Sequence, residues 1–120
     1  MTITLDLPMP PSINALWRAG KGRVRRSLPY TQWIKRADAH CMAGRTFHRH
    51  HAIAGPFKAT ILFRQGARGD LDNRAKAVLD WAQSRELVTD DKNCQTLILE
   101  WVSPDFAPDG CRLILTECAP

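Results

Sequence analysis

The sequence has no apolar run near the roughly 20 residues that span a bilayer. The opening MTITLDLPMPP also lacks the basic stretch and apolar block of a signal peptide. A cytosolic location is therefore the default expectation. The four cysteines, Cys41, Cys94, Cys111 and Cys118, are far apart and form no CxxC pair. That spacing argues against a zinc ribbon or a dithiol redox motif and leaves reduced, partly buried thiols. Repeats and low-complexity tracts are missing as well, so disorder is not expected outside loops. Acid is in the minority: 12 Asp and Glu face 17 Lys and Arg, a net charge of +5.

What is present suits one soluble domain. A chain of 120 residues, 44% hydrophobic and 24% charged, is long enough for a single core. The excess of cations permits an anionic partner, and its placement matters more than its sum. In RAGKGRVRR, Arg18, Lys21, Arg23, Arg25 and Arg26 share nine positions with no acid. Such a run reads either as a solvated loop or as a surface for phosphates, where each neutralised phosphate releases counterions. Trp17, beside it, is a candidate for stacking on an unpaired base, although packing is the commoner fate of a tryptophan.

Periodicity orders the elements. TITLDL alternates, with Ile3, Leu5 and Leu7 on one face, and ends at Pro8. PMPPSINALW is extended and turn-like, because Pro10 and Pro11 lack amide donors. A helix is expected from about Thr31, with Ile34, Ala37 and Cys41 inward and Lys35, Arg36 and Asp38 outward, fading between Gly44 and His51. Pro56 opens a strand in which Phe57, Ala59, Ile61 and Phe63 share a face. After the turn-prone RQGARG, a helix from about Leu71 to Arg85 buries Leu71, Ala75, Val78, Leu79 and Ala82. CQTLILEW should bury Leu97, Leu99 and Trp101, and CRLILTE should bury Leu113 and Leu115. SPDFAPDG between them carries the signals of a hairpin loop. The expectation is a two-layer α+β domain: a four-stranded mixed sheet with two helices mainly on one face.

The chemistry gathers around RGDLDNRAKAVLD, Arg68 to Asp80. Asp70 falls at an expected N-cap and Asp72 in the first turn, where carboxylates accept orphan amides, so capping alone accounts for both. Asp72, Lys76 and Asp80 also form an i, i+4 ladder of alternating sign. A competing reading comes from geometry. Residues two apart within a helix diverge by about 200°, but an Asp70 just outside the helix, beside the permissive Gly69, could turn toward Asp72. Two ionised carboxylates about 4 Å apart repel by about 4 kcal/mol at an effective dielectric of 20, so they would need a proton or a cation. Magnesium, a hard ion that takes carboxylates, water and phosphate oxygens, suits them. Asp90 and Asp91 in ELVTDDKN offer further acids, or else only an Asx turn. A straight helix would place that loop roughly 22 Å from Asp70.

The residues now resemble those of a known family. PMPPSIN, GDLDNRAKAVLD and TDDKNC, in this order and spacing, resemble the Pro-rich motif, the D-L-D-N-x-x-K-x-x-x-D core and the D-D loop of the RusA-like Holliday junction resolvases. The resemblance covers most of the chain and implies a homodimeric, magnesium-dependent endonuclease of DNA recombination and repair, with two sites on one basic face. It implies that Asp70, Asp72 and Asp91 hold metal, with Asp90 beside them. Lys76 would be a catalytic or phosphate-contacting base, and Asn73 a contact to DNA or to the site. Before the first aspartate the family tends to be strongly basic, whereas RQGARG has only Arg64 and Arg68; Arg18 to Arg26 would compensate. FHRHH, Phe47 to His51, matches no part of the pattern and reads as a solvated helix end. The alternatives are a DNA-binding module whose acids only cap, a nuclease on other branched DNA, and a structural interaction protein.

Overall fold

The computed structural model describes the chain except for residues 13–16, 21–22, 27, 44–51, 68, 70 and 119–120, and for 17–20, 23–26 and 42–43 the backbone only. In chain order the elements are β1 (Thr2–Pro8), β2 (Trp17–Gly20), β3 (Arg23–Arg26), α1 (Leu28–Ala43), β4 (Phe57–Arg64) and α2 (Asp72–Ser84). A short 3-10 helix (Asp91–Asn93), β5 (Cys94–Val102) and β6 (Gly110–Glu117) follow.

One four-stranded mixed sheet has the order β1-β6-β4-β5. β6 is antiparallel to both β1 and β4, while β5 is parallel to β4. The register explains the core. Leu5, Leu113, Ile61 and Leu99 line up across the four strands, as do Leu7, Cys111, Phe63 and Trp101. Period-2 alternation therefore gathers the apolar side chains on one face. The buried residues of both helices join that same cluster, which makes the fold two-layered.

The strand alternation of β1, β4 and β6 is as the sequence predicts, but two expectations for β5 are corrected. β5 and β6 are not a hairpin, because β4 lies between them. The segment Ser103–Asp109 carries the chain across, with Arg64 donating to the carbonyls of Ala107 and Pro108. β5 is also an edge strand. Leu97 keeps the inward direction but is 44% exposed, and Leu99 and Trp101 are only partly buried. An edge strand forfeits much of the roughly 1.5–3 kcal/mol that burying such a side chain contributes.

The helices begin and pack differently from the expectation too. α1 starts at Leu28, three residues early, because Pro29 is tolerated in a first turn where its missing amide would be unpaired anyway. Its inner face is led by Tyr30 and Trp33. Trp33 meets Trp81 of α2 edge-on at 6.3 Å and donates to the carbonyl of Pro8 at 2.9 Å. Asp38, expected outward, instead accepts from Trp81 Nε1 at 2.9 Å and from Arg85. The inner face of α2 is Ala75, Ala77, Val78, Trp81 and Ala82, with Leu71 and Leu79 only partly buried.

The basic run also differs from a loop. β2 and β3 pair antiparallel, with Arg18 opposite Arg25 and Gly20 opposite Arg23. At the start of β6, Gly110 has φ +121° and lies so close to the residue after β1 that a Cβ there would fall 2.7 Å from the Met9 nitrogen. Only glycine fits both constraints. All four thiols are free. Burial, then the negative charge of Asp38, pushes the Cys41 thiol up to about 12.

Candidate active site

Asp72 opens α2 and is exposed; Asn73 follows it, half-buried. The residue before the helix is Leu71, in helical conformation and without a side-chain cap bond, so the N-cap expected of Asp70 belongs to Leu71. Asp70 and Arg68 lie outside the described residues, as do Lys21 and the His48 to His51 segment. Gly69, between Arg68 and Asp70, has φ +98°, the left-handed region that lets the chain bend there. Arg74 of the same first turn donates to the carbonyl of Pro10 and so ties the Pro-rich segment to the start of α2.

The far end of α2 shortens the distance between the two acidic segments. Glu86 adopts φ 60°, and the amides of Glu86 and Leu87 donate to the carbonyls of Gln83 and Ala82, a left-handed helix stop that reverses the chain. Ile53 then pins the returning strand, donating to Leu87 O at 2.9 Å and accepting from Thr89 N at 3.1 Å. The chain climbs back along α2. Asp91 N donates to Gln83 Oε1 at 2.9 Å, and the Asp91 carboxylate stands 3.5 Å from Lys76 Nζ. Lys76 also holds Asp80 at 3.0 Å. Asp91 thus lies beside the second half of α2, among Lys76, Asp80 and Gln83, at a level roughly 6 to 16 Å along the axis from Asp72.

The neighbouring Asp90 is committed locally. Its side chain accepts from Lys92 N at 2.9 Å, an Asx-type cap on the 3-10 helix that aims Asp91. Of the alternating ladder, the Lys76–Asp80 pair forms, and among the described residues the second ion-pair partner of Lys76 is Asp91 rather than Asp72. The hydrogen bond from Lys76 to Asp80 raises the lysine above its ordinary pKa; partial burial opposes this, and the charges of Asp80 and Asp91 add to it. Lys76 is a fully charged ammonium at neutral pH.

Asp80 and Asp91 stand on the wall of an open cleft of about 570 Å³ between the start of α1 and the end of α2. Among the described residues no three His, Cys, Asp or Glu side chains converge on one point. Asp72 and Asp91 are both carboxylates reached by solvent, the hard oxygen chemistry that suits magnesium rather than zinc.

Arg18, Arg23, Arg25 and Arg26 lie on the β2–β3 ribbon, and Trp17 starts it. Arg64 is spent on the Ala107 and Pro108 carbonyls, so one of the two cations of RQGARG serves the fold. Sequence reasoning missed Gln83, which no spacing marks, and gave Asp80 only a surface ion pair. No helix among the described residues is long and apolar enough to cross a membrane. Compared with protein-family models and with curated proteins, the chain matches none.

Proposed function

We propose that the protein is a magnesium-dependent endodeoxyribonuclease that resolves four-way DNA junctions by paired, symmetric phosphodiester cleavage. The observation that supports this reading is the return of Asp91 onto α2 beside Lys76, since it shortens the separation between the D-D loop and the D-L-D-N segment. Asp70, Asp72 and Asp91 would hold Mg²⁺. Bound there, the ion supplies a Lewis acid for a phosphate oxygen and a more acidic water as nucleophile.

The chain's own groups do the rest. Lys76 neutralises charge that builds on the phosphate in the transition state. Asp90 and Gln83 fix the backbone that presents Asp91. Asn73, directly after Asp72, and Arg68, two residues before Asp70, contact the bound strand. Arg18, Arg23, Arg25 and Arg26 of the ribbon, together with Lys21, neutralise phosphates of the arms. Symmetric nicks need two sites and one domain offers one, so the working unit is a twofold homodimer.

Cleavage of a synthetic four-way junction with Mg²⁺ tests the proposal. The parent should nick symmetrically and stop on chelation. Asp72→Asn and Asp91→Asn should each lose at least about 100-fold, more than loss of a supporting partner around a metal costs, while still binding the junction. Undiminished nicking by both variants contradicts the metal site. Binding without nicking by the parent favours a non-catalytic module, and equal cleavage of flaps and forks favours a broader branched-DNA nuclease.

A further inference from the structure

Lys76 is caught between two carboxylates that the sequence places 11 residues apart: Asp80 Oδ1 at 3.0 Å and Asp91 Oδ2 at 3.5 Å. An ammonium held by Asp91 alone would cancel the charge that a cation needs there. We propose that Asp80 is a positioning residue: by holding the Lys76 ammonium as its nearer partner, it keeps the lysine from consuming Asp91 and leaves that carboxylate free to take a divalent cation. This rests on Asp91 being a cation ligand, as proposed above.

Three features support it. Asp80 lies one helical turn beyond Lys76 on a rigid segment, so the pairing needs no loop to close. Asp91, by contrast, is fixed through its backbone, and its side chain is held by the lysine. It can therefore exchange partners without moving the chain. Finally, Asp80 and Asp91 both face the open cleft, through which a hydrated ion can reach them. Charge counting gives the direction: two carboxylates and one ammonium leave one net negative charge, while one carboxylate and one ammonium leave none. Lys76 stays beside the site in either case. It remains available to a phosphate when Asp91 turns to the ion.

A double-mutant cycle on Mn²⁺ affinity, measured calorimetrically on the DNA-free protein, tests this. Asp80→Asn should weaken Mn²⁺ binding about fivefold or more in the parent background, within the coupling found between contacting groups. In a Lys76→Met background, with no ammonium left to divert, the same substitution should change affinity less than about twofold. Asp80→Glu, which keeps the carboxylate on the same face, should restore parental affinity. Asp80 is 25% and Lys76 48% exposed, so these changes leave the core intact, and a thermal melt confirms folding. An equal loss in both backgrounds overturns the proposal, because Asp80 would then act on the ion directly. No loss in either background overturns it too. A parent that binds no Mn²⁺ at all contradicts the cation site itself, a separate and earlier failure.

Discussion

Asp38 shows how a single residue closes the helical layer behind the site. Burial works against its charge, but hydrogen bonds from Arg85 and Trp81 and the charge of Arg85 outweigh it and hold the carboxyl below its ordinary 3.8. A carboxyl depressed by folding stabilises the protein above its unfolded pKa, and that contribution is lost as pH falls from about 3.8 through the folded value. With Asp38 27% and Arg85 34% exposed, water screens the pair. Its removal should cost only about 1 kcal/mol. In urea titrations, Asp38→Asn should therefore be less stable than the parent at pH 7, and the gap should close as the pH drops below 3.8. A gap that stays constant with pH would mean the carboxylate's charge contributes nothing. Little of this was legible beforehand: helical spacing turned Asp38 outward because the inner stripe was drawn through Ile34, when Tyr30 and Trp33 lead it. A polar residue at the edge of the buried stripe is settled by the neighbouring helix, and no local pattern carries that neighbour.

At the scale of elements, alternation told which strands have an inner face but not which strands are neighbours. Ile3, Leu5, Leu7, Leu113 and Leu115 are buried as their period requires. The last two strands are nonetheless parted by β4, because α2 supplies the crossover that a parallel β4–β5 pair needs. A Pro-rich, Asp-Gly-containing linker looks the same in a hairpin and in a crossing. The basic run was harder still, since its ribbon lacks the sustained alternation that marks a half-buried strand. Directly paired residues share a face. The register therefore places Arg18, Arg23 and Arg25 together and sets Arg26 with Trp17 on the other side. If the first face tracks DNA arms, Arg18→Gln and Arg25→Gln should each lower the slope of log affinity against log salt by about 0.9, measured without Mg²⁺. Arg26→Gln should lower it less. Equal effects from all three would mean that charge alone, and not the ribbon's face, governs binding.

For the whole molecule, the decisive feature is a chain that travels out along α2, reverses at Glu86, is pinned by Ile53 and returns its acidic loop to the helix. The family resemblance implied the three acids, yet a straight helix would hold them apart. The reversal could not be read, because it depends on a left-handed glutamate and on a backbone bridge to a residue 33 positions earlier than Glu86, whose sequence neighbours carry no signal. The same topology leaves β5 as an open edge with Leu97 exposed, and sets the β2–β3 ribbon outside the main sheet. Whether the acids trap an ion is read most directly from anomalous difference density in crystals grown with Mn²⁺. The account predicts a peak within about 2.0–2.5 Å of carboxylate oxygens from both Asp72 and Asp91. Crystals with bound Mn²⁺ at other carboxylates, and none at Asp72 or Asp91, would contradict it.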